Sequence, residues 1–189
     1  NERHDYSIPL AGRHNVSNAL AALAAGFALG LTPQEMQAGL RTLTPTKMRY
    51  EVHEVGTQCF INDAYNASPS SMRAALETTA ALYDGRKIAV LGDMLELGAA
   101  AEEAHREIGM CVAELGFAAL VTYGAQARWM HEAAEAAGCP VCHHAESHAA
   151  AAAFLRTLSA DGDTVLFKGS RGMKMEQIIT LLTGEEAGH

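Results

Sequence analysis

Cysteine is scarce in this chain. Four residues in 189 are too few for a disulfide framework in a body of this size, so a reducing, cytoplasmic setting is expected. Basic charge is short as well: 14 Lys and Arg stand against 22 Asp and Glu, a formal net charge of −8. That balance argues against a nucleic-acid or anionic-membrane surface. No apolar run approaches the roughly 18–20 residues that a membrane span requires. The opening Asn1-Glu-Arg-His-Asp5 has no initiator Met and no signal-peptide architecture, and it reads as a cut within a longer protein. Two nucleotide motifs are also missing, the phosphate loop G-x-x-x-x-G-K-[ST] and a G-x-G-x-x-G after the first strand. A nucleotide site complete within the chain is therefore not expected.

What is present can fold: 49% of the residues are hydrophobic, enough for a sizeable core. From Val16, the residues Ala19, Leu20, Leu23, Ala24 and Phe27 keep helical spacing, and alanines fill most of the other faces. A helix apolar nearly all round is normally covered on several sides. Thr32-Pro33 opens a second helix to about residue 43, with Thr32 as cap and Pro33 at the first position. Thr44-Pro-Thr46 reads as a linker between a helical segment, 1–46, and a second domain, 47–189. The pattern then changes to a hairpin around Gly56-Thr57 followed by alternating units. Helices are expected over 69–83, 99–115, 126–137, 147–158 and 175–182. Strands are expected over 87–91, 118–122, near Val141, and over 164–167. Such alternation predicts an α/β, Rossmann-like fold, a mostly parallel sheet with helices on both faces. The run Ile88-Ala-Val-Leu91 is continuously apolar, as a strand covered on both sides should be.

Ligands of such sheets bind beyond the carboxyl ends of the strands. Three strand ends carry polar groups that their turns do not require: Asp63-Ala-Tyr-Asn66, then Asp93 and Glu96 within Leu91-Gly-Asp-Met-Leu-Glu-Leu-Gly98, then Lys168-Gly-Ser-Arg-Gly-Met-Lys174. Ser68 and Pro69 are accounted for as a helix start. Asp63, Tyr65 and Asn66 are not. The third loop places cations where a helix dipole disfavours them, which suggests a bound anion. The bland readings are a turn cap for Asp63, a solvated loop for Asp93 and Glu96, and helix-entry charge for the cations.

Cys139-Pro-Val-Cys-His143 has the spacing of a haem attachment, but it falls where a helix turns into a strand, and a small buried cysteine pair is the plainer reading. His143, His144 and His148 read as a solvated polar turn without a carboxylate shell, so no metal is expected there.

Five stretches occur in order: Gly12-Arg-His-Asn-Val-Ser-Asn18 before an alanine-rich helix, Met48-Arg-Tyr-Glu51, Asp63-Ala-Tyr-Asn-Ala-Ser-Pro69, Leu91-Gly-Asp-Met-Leu-Glu-Leu-Gly98 and Lys168-Gly-Ser-Arg-Gly172. Together they resemble the last part of a Mur ligase, and the second pair of loops points to the branch that adds D-Ala-D-Ala. The resemblance implies that residues 1–46 are the tail of a central ATPase domain and the rest a C-terminal Rossmann-like domain. It implies ATP-dependent addition of D-Ala-D-Ala to UDP-N-acetylmuramoyl-tripeptide, with Mg2+ held by residues outside this chain, and a fragment inactive alone. It further implies that Asn15 and Asn18 lie beside the adenine, Arg49 reaches the nucleotide, and Asp63 holds the ribose hydroxyls. Tyr65, Asn66, Asp93, Glu96, Lys168, Ser170 and Arg171 would face the substrate. Removal of the Asp63 carboxylate is expected to leave the fold intact. With the central domain absent, two copies are expected to cover each other's apolar helices as a homodimer. A non-catalytic module binding a small anion or nucleotide in the same cleft fits the missing phosphate loop equally well, and an upstream G-x-x-G-K-[ST] segment would separate the two.

Overall fold

The computed structural model describes residues 3–10, 12–44 and 46–184. The chain divides into two compact units, Asn1–Thr46 and Lys47–His189. Pro45, at the centre of the expected linker, lies outside the described residues.

The first unit holds α1 (Arg13–Ala28) and α2 (Pro33–Arg41). Helix α1 begins three residues before the expected Val16, so Asn15 and Asn18 sit on the helix itself. Helix α2 starts as its sequence dictates. Thr32 and Glu35 form a reciprocal capping box, and Pro33 occupies the first turn. Gln37 ties the preceding extended segment to α2 through paired bonds with the Ser7 backbone, at 2.9 and 3.0 Å.

The second unit is one six-stranded sheet with helices on both sides. Its strands are β1 (Glu51–Val55), β2 (Gln58–Asp63), β3 (Lys87–Gly92), β4 (Ala119–Tyr123), β5 (Cys142–Ala145) and β6 (Thr164–Lys168), in the order β1-β2-β6-β3-β4-β5. Only the β1–β2 pair is antiparallel. The two-residue side-chain period explains the apolar run in β3. Ala89 and Leu91 face one core with Leu120, Leu166 and Ile61, while Ile88 and Val90 face the other with Val121, Val165 and Phe167. The first core is closed by α3 (Pro69–Leu82), α4 (Ala101–Glu114) and α5 (Ala127–Ala136), through Met72, Leu76, Ile108, Val112 and Met130. The second is closed by α6 (His148–Leu158) and α7 (Glu176–Thr183), through Ala151, Leu155, Ile178 and Ile179. Helices α4 and α5 approach so closely at Gly109 that a Cβ there would stand 2.1 Å from the Met130 carbonyl oxygen.

Strand β5 corrects the expected polar turn. It begins at Cys142, beyond Val141, and takes in His143 and His144. His143 stacks on Phe154 of α6 with ring centroids 3.9 Å apart, and His144 Nδ1 lies 2.9 Å from the Thr122 hydroxyl. His148 opens α6, with Nε2 donating to the Met173 carbonyl at 2.7 Å. The imidazoles are packing residues here, half-buried against ring and hydroxyl rather than solvated. Cys139 is buried in the preceding loop and Cys142 is half-buried, both as free thiols.

Candidate functional site

The carboxyl ends of β2, β3 and β6 lie side by side, because β6 pairs with β2 on one side and β3 on the other. Register puts Asp63, the last residue of β2, directly opposite Lys168, the last of β6. Their side chains meet: Lys168 Nζ donates to Asp63 Oδ2 at 2.6 Å. Lys168 is only 3% exposed and the Asp63 side chain 16%. The other carboxylate oxygen, Oδ1, accepts the Tyr50 backbone N–H at 3.0 Å.

Residues Met48 and Tyr50 both have left-handed backbones, with φ of 59° and 53°. Such conformations cost free energy for residues with a Cβ and persist only where the surroundings hold them. Three bonds do so: Tyr50 N–H to Asp63, Met48 N–H to Glu51 Oε2 at 3.0 Å, and Tyr65 N–H to the Met48 carbonyl at 3.0 Å. The result presents Arg49 on the surface, its guanidinium 4.2 Å from the centre of the exposed Tyr65 ring, a cation–π contact. Asn66 is exposed; its carbonyl accepts from Lys168 Nζ at 2.9 Å, and its side-chain oxygen from the Ala67 N–H at 2.9 Å.

Asp93 and Ser170 are buried and internally engaged. Asp93 Oδ1 accepts the Ala127 N–H at 2.6 Å in the first turn of α5, where an anion suits the helix dipole. The Asp93 carbonyl accepts the Ser170 N–H at 2.9 Å. The Ser170 hydroxyl accepts the Leu95 N–H at 2.9 Å and points to the Ala67 carbonyl at 3.5 Å. One serine thus laces together all three strand-end loops. Glu96 is exposed, with a left-handed φ of 66°. Arg171 lies in the 3-10 turn Arg171–Met173 and pairs with Glu176 at 2.7 Å.

The expected cationic helix entrance is therefore different in kind. Lys168 belongs to a strand and is neutralised by Asp63, Arg171 is neutralised by Glu176, and α7 begins at that acid. Two of the loop's three cations are thus paired within the chain, while Lys174 stays exposed just ahead of α7. Asn15 and Asn18, in the first unit, line a mainly apolar groove of about 440 Å³ between α1 and α2, with Leu23, Met36 and Leu40 among its walls.

Three further residues shape the site. Tyr50 supplies the amide on Asp63, and its hydroxyl lies 2.9 Å from the Thr79 hydroxyl; burial pushes its phenol up to about 12, helped by the negative charge of Asp63. His105 is fully buried on α4. Its Nε2 accepts the Met94 N–H at 3.0 Å and its Nδ1 donates to the Ala101 carbonyl at 2.6 Å, so the partners fix the tautomer and anchor the loop after β3. Asn62 is buried beside Asp63; its Oδ1 accepts the Ala64 N–H at 3.3 Å, and its Nδ2 has no protein partner among the described residues. For Tyr50 a signal existed in the quoted Met48-Arg-Tyr-Glu51. A single histidine on an amphipathic helix gave none for His105.

A mostly parallel sheet with helices on both faces defines an α/β domain, and comparison with known proteins gives its family. The profile described as "Mur ligase, glutamate ligase domain" matches residues 48–171. The chain belongs to the Mur ligase family. It is 41% identical over 178 residues to the UDP-N-acetylmuramoyl-tripeptide--D-alanyl-D-alanine ligase of Bacillus subtilis (strain 168), covering 92% of this chain and 39% of that protein. The crystal structure II of MurF from Acinetobacter baumannii superposes with a TM-score of 0.83 at 34% identity, covering 95% of this chain and 40% of that one. MurF from Thermotoga maritima, solved in complex with ADP, gives 0.79 at 26% identity, over 92% and 39% of the two chains. The chain thus spans about two fifths of the length of the relatives it matches. No helix among the described residues is long and apolar enough to cross a membrane.

Proposed function

We propose that this chain is the C-terminal portion of an ATP-dependent ligase that adds D-Ala-D-Ala to UDP-N-acetylmuramoyl-tripeptide, a step of peptidoglycan precursor synthesis. In this reading the tripeptide carboxylate is phosphorylated from ATP. The dipeptide amine then attacks the acyl phosphate, and ADP and phosphate leave. Positioning and charge stabilisation carry such chemistry. The similarity to UDP-N-acetylmuramoyl-tripeptide--D-alanyl-D-alanine ligases over nearly the whole chain supports it.

The observation that carries the site is the state of Asp63. Each carboxylate oxygen offers two lone-pair directions, and each uses one, on Tyr50 N–H and on Lys168 Nζ. One acceptor direction per oxygen remains, which suits the two vicinal hydroxyls of a ribose. Arg49, held over the Tyr65 ring, is in this reading the cation for the nucleotide. Asn15 and Asn18 are the residues for the adenine. Asn66, Glu96 and Arg171, on the rims of the three loops, are the residues for the dipeptide.

The chain's share of the work is recognition and orientation. In this reading Mg2+ is held by residues outside this chain. We further infer that the 189-residue chain alone is inactive, since it carries no phosphate loop. The test is coupled ADP release with the tripeptide acceptor and D-Ala-D-Ala, comparing the full-length protein with this chain. Turnover dependent on both substrates in the former and none in the latter is expected. Turnover by the 189-residue chain would overturn its inactivity, and none by the full-length protein would overturn the ligase reading.

A further inference from the structure

An ammonium group has three N–H donors and no acceptor. Lys168 Nζ has three acceptors around it, Asp63 Oδ2 at 2.6 Å, the Asn66 carbonyl at 2.9 Å and the Asp63 carbonyl at 3.4 Å. All three come from the last residue of β2 and the loop that follows it. The side chain is 3% exposed, so neither a donor nor a surface is left for an incoming carboxylate. We propose that Lys168 is a positioning residue for the nucleotide side of the site, acting through Asp63, and does not contact the dipeptide. The proposal rests on the ligase reading above.

The geometry gives the mechanism. A carboxylate at a strand end rotates freely about its last bond unless both oxygens are held. Here Lys168 holds Oδ2 from β6 and the Tyr50 amide holds Oδ1 from the turn before β1. With both fixed, the two remaining lone pairs keep one direction, which a vicinal diol needs and a rotating carboxylate does not supply. The same lysine ties down the Asn66 carbonyl, so the turn from Asp63 to Asn66 keeps its shape and Tyr65 stays beneath Arg49. Without Lys168, Asp63 would still carry its charge but would lose its aim, and the Met48–Tyr50 backbone would lose one of its supports.

Two measurements test this. In the full-length ligase, Lys168→Met should raise KM for ATP by about tenfold or more, the scale of one lost charge-assisted hydrogen bond, and raise KM for D-Ala-D-Ala clearly less, since Asn66 loses only the tie on its carbonyl. A dipeptide KM that rises as much as that for ATP or more would overturn the proposal, as would an unchanged KM for ATP. In the 189-residue chain, amide hydrogen exchange at Tyr50 should speed up in Lys168→Met while amides of β3 and β4 stay protected. Unchanged Tyr50 exchange would overturn the proposal without any reference to activity. If Lys168→Met fails to fold, the double variant Asp63→Asn/Lys168→Met removes both buried charges. It should fold and show the same KM for ATP as Asp63→Asn alone; a further large rise would show that Lys168 acts independently of Asp63 and overturn the proposal. Absence of ADP release by the wild-type full-length protein would refute the ligase reading alone, since the exchange result stands apart from it.

Discussion

Gly124 and Asp93 are in contact just past the carboxyl ends of the paired strands β4 and β3: a Cβ at Gly124 would stand 2.3 Å from Asp93 Oδ1. The glycine also has φ of +120°, a conformation that L side chains rarely adopt. The contact lets the carboxylate slide beneath the chain and reach the Ala127 N–H at the start of α5. Gly124→Ala should therefore both strain the backbone and displace Asp93. The overpacking alone should cost about 1–3 kcal/mol in urea unfolding. Asp93→Asn, which keeps an acceptor but loses the charge, should cost less.

Asp63 should contribute to stability, because its carboxylate is the counter-charge of the buried Lys168, whereas the sequence alone led to the expectation that a strand-end acid adds little. Asp63→Ala leaves the Lys168 ammonium buried without its counter-charge, a change that typically costs about 3–5 kcal/mol. Nucleotide binding and fold stability should fall together in that variant. Replacing both residues, as in Asp63→Asn/Lys168→Met, should recover a large part of the stability and none of the nucleotide affinity. Denaturation midpoints and nucleotide titrations of the three proteins, wild type included, would check this.

His105 offers a cleaner separation. Its removal in His105→Ala leaves the buried Met94 N–H without an acceptor, which should cost about 1–3 kcal/mol. The loss should appear as faster exchange through the loop from Asp93 to Gly98. The Tyr50 amide, held on Asp63 some distance along the sheet edge, should keep its protection.

Much of this architecture was legible in the sequence, because it rests on local rules. Ser68 and Pro69 start α3, although the reciprocal partner of the cap is Ser71 rather than an acid. The apolar run of β3 announces a strand covered twice. What escaped depends on partners distant in sequence. Asp63 and Lys168 are 105 positions apart, and only parallel register brings them together. Read separately, one looked like a ribose ligand and the other like an anion site, and their mutual neutralisation was invisible. Strand β5 was expected near Val141, but its reach through the histidines was not: Cys142-His-His-Ala145 looks polar, yet at the sheet edge imidazoles fill half-buried positions against Phe154 and Thr122.

Those imidazoles make stability depend on pH. Burial is the main cause that pushes His143 and His144 below the ordinary 6.5, with His131 adding to it for His143 and Arg128 and His131 for His144. A histidine whose folded pKa is depressed binds more protons unfolded than folded between the two pKa values, so stability rises with pH across that window. The contribution is complete above the unfolded value. It is lost as pH falls from about 6.5 toward the lower folded value. Urea midpoints should drop between pH 7.5 and 5.5, and His144→Gln should flatten the dependence. A steeper dependence in that variant would show that another group controls it.

The last prediction concerns α1, whose apolar side chains stand in solvent: Val16 is 52% exposed, Leu20 61% and Phe27 77%, with Leu29 just beyond the helix at 83%. A continuous apolar face of this kind is a binding surface or an aggregation liability. Burying it is worth roughly 25 cal/mol per Å² of apolar area, so a few hundred Å² shared between two helices gives several kcal/mol before the cost of association. We expect two copies of the 189-residue chain to cover each other's α1 in a symmetric pair, since the same face serves both partners. Sedimentation velocity at micromolar concentration should show a dimer. Leu20→Glu/Phe27→Lys, which places charge on the exposed face, should return a monomer with unchanged helix content. Deletion of residues 1–46 should do the same and leave the second unit folded on its own two cores. A wild-type chain that sediments as a clean monomer, indistinguishable from both variants, would show that the α1 face does not drive self-association.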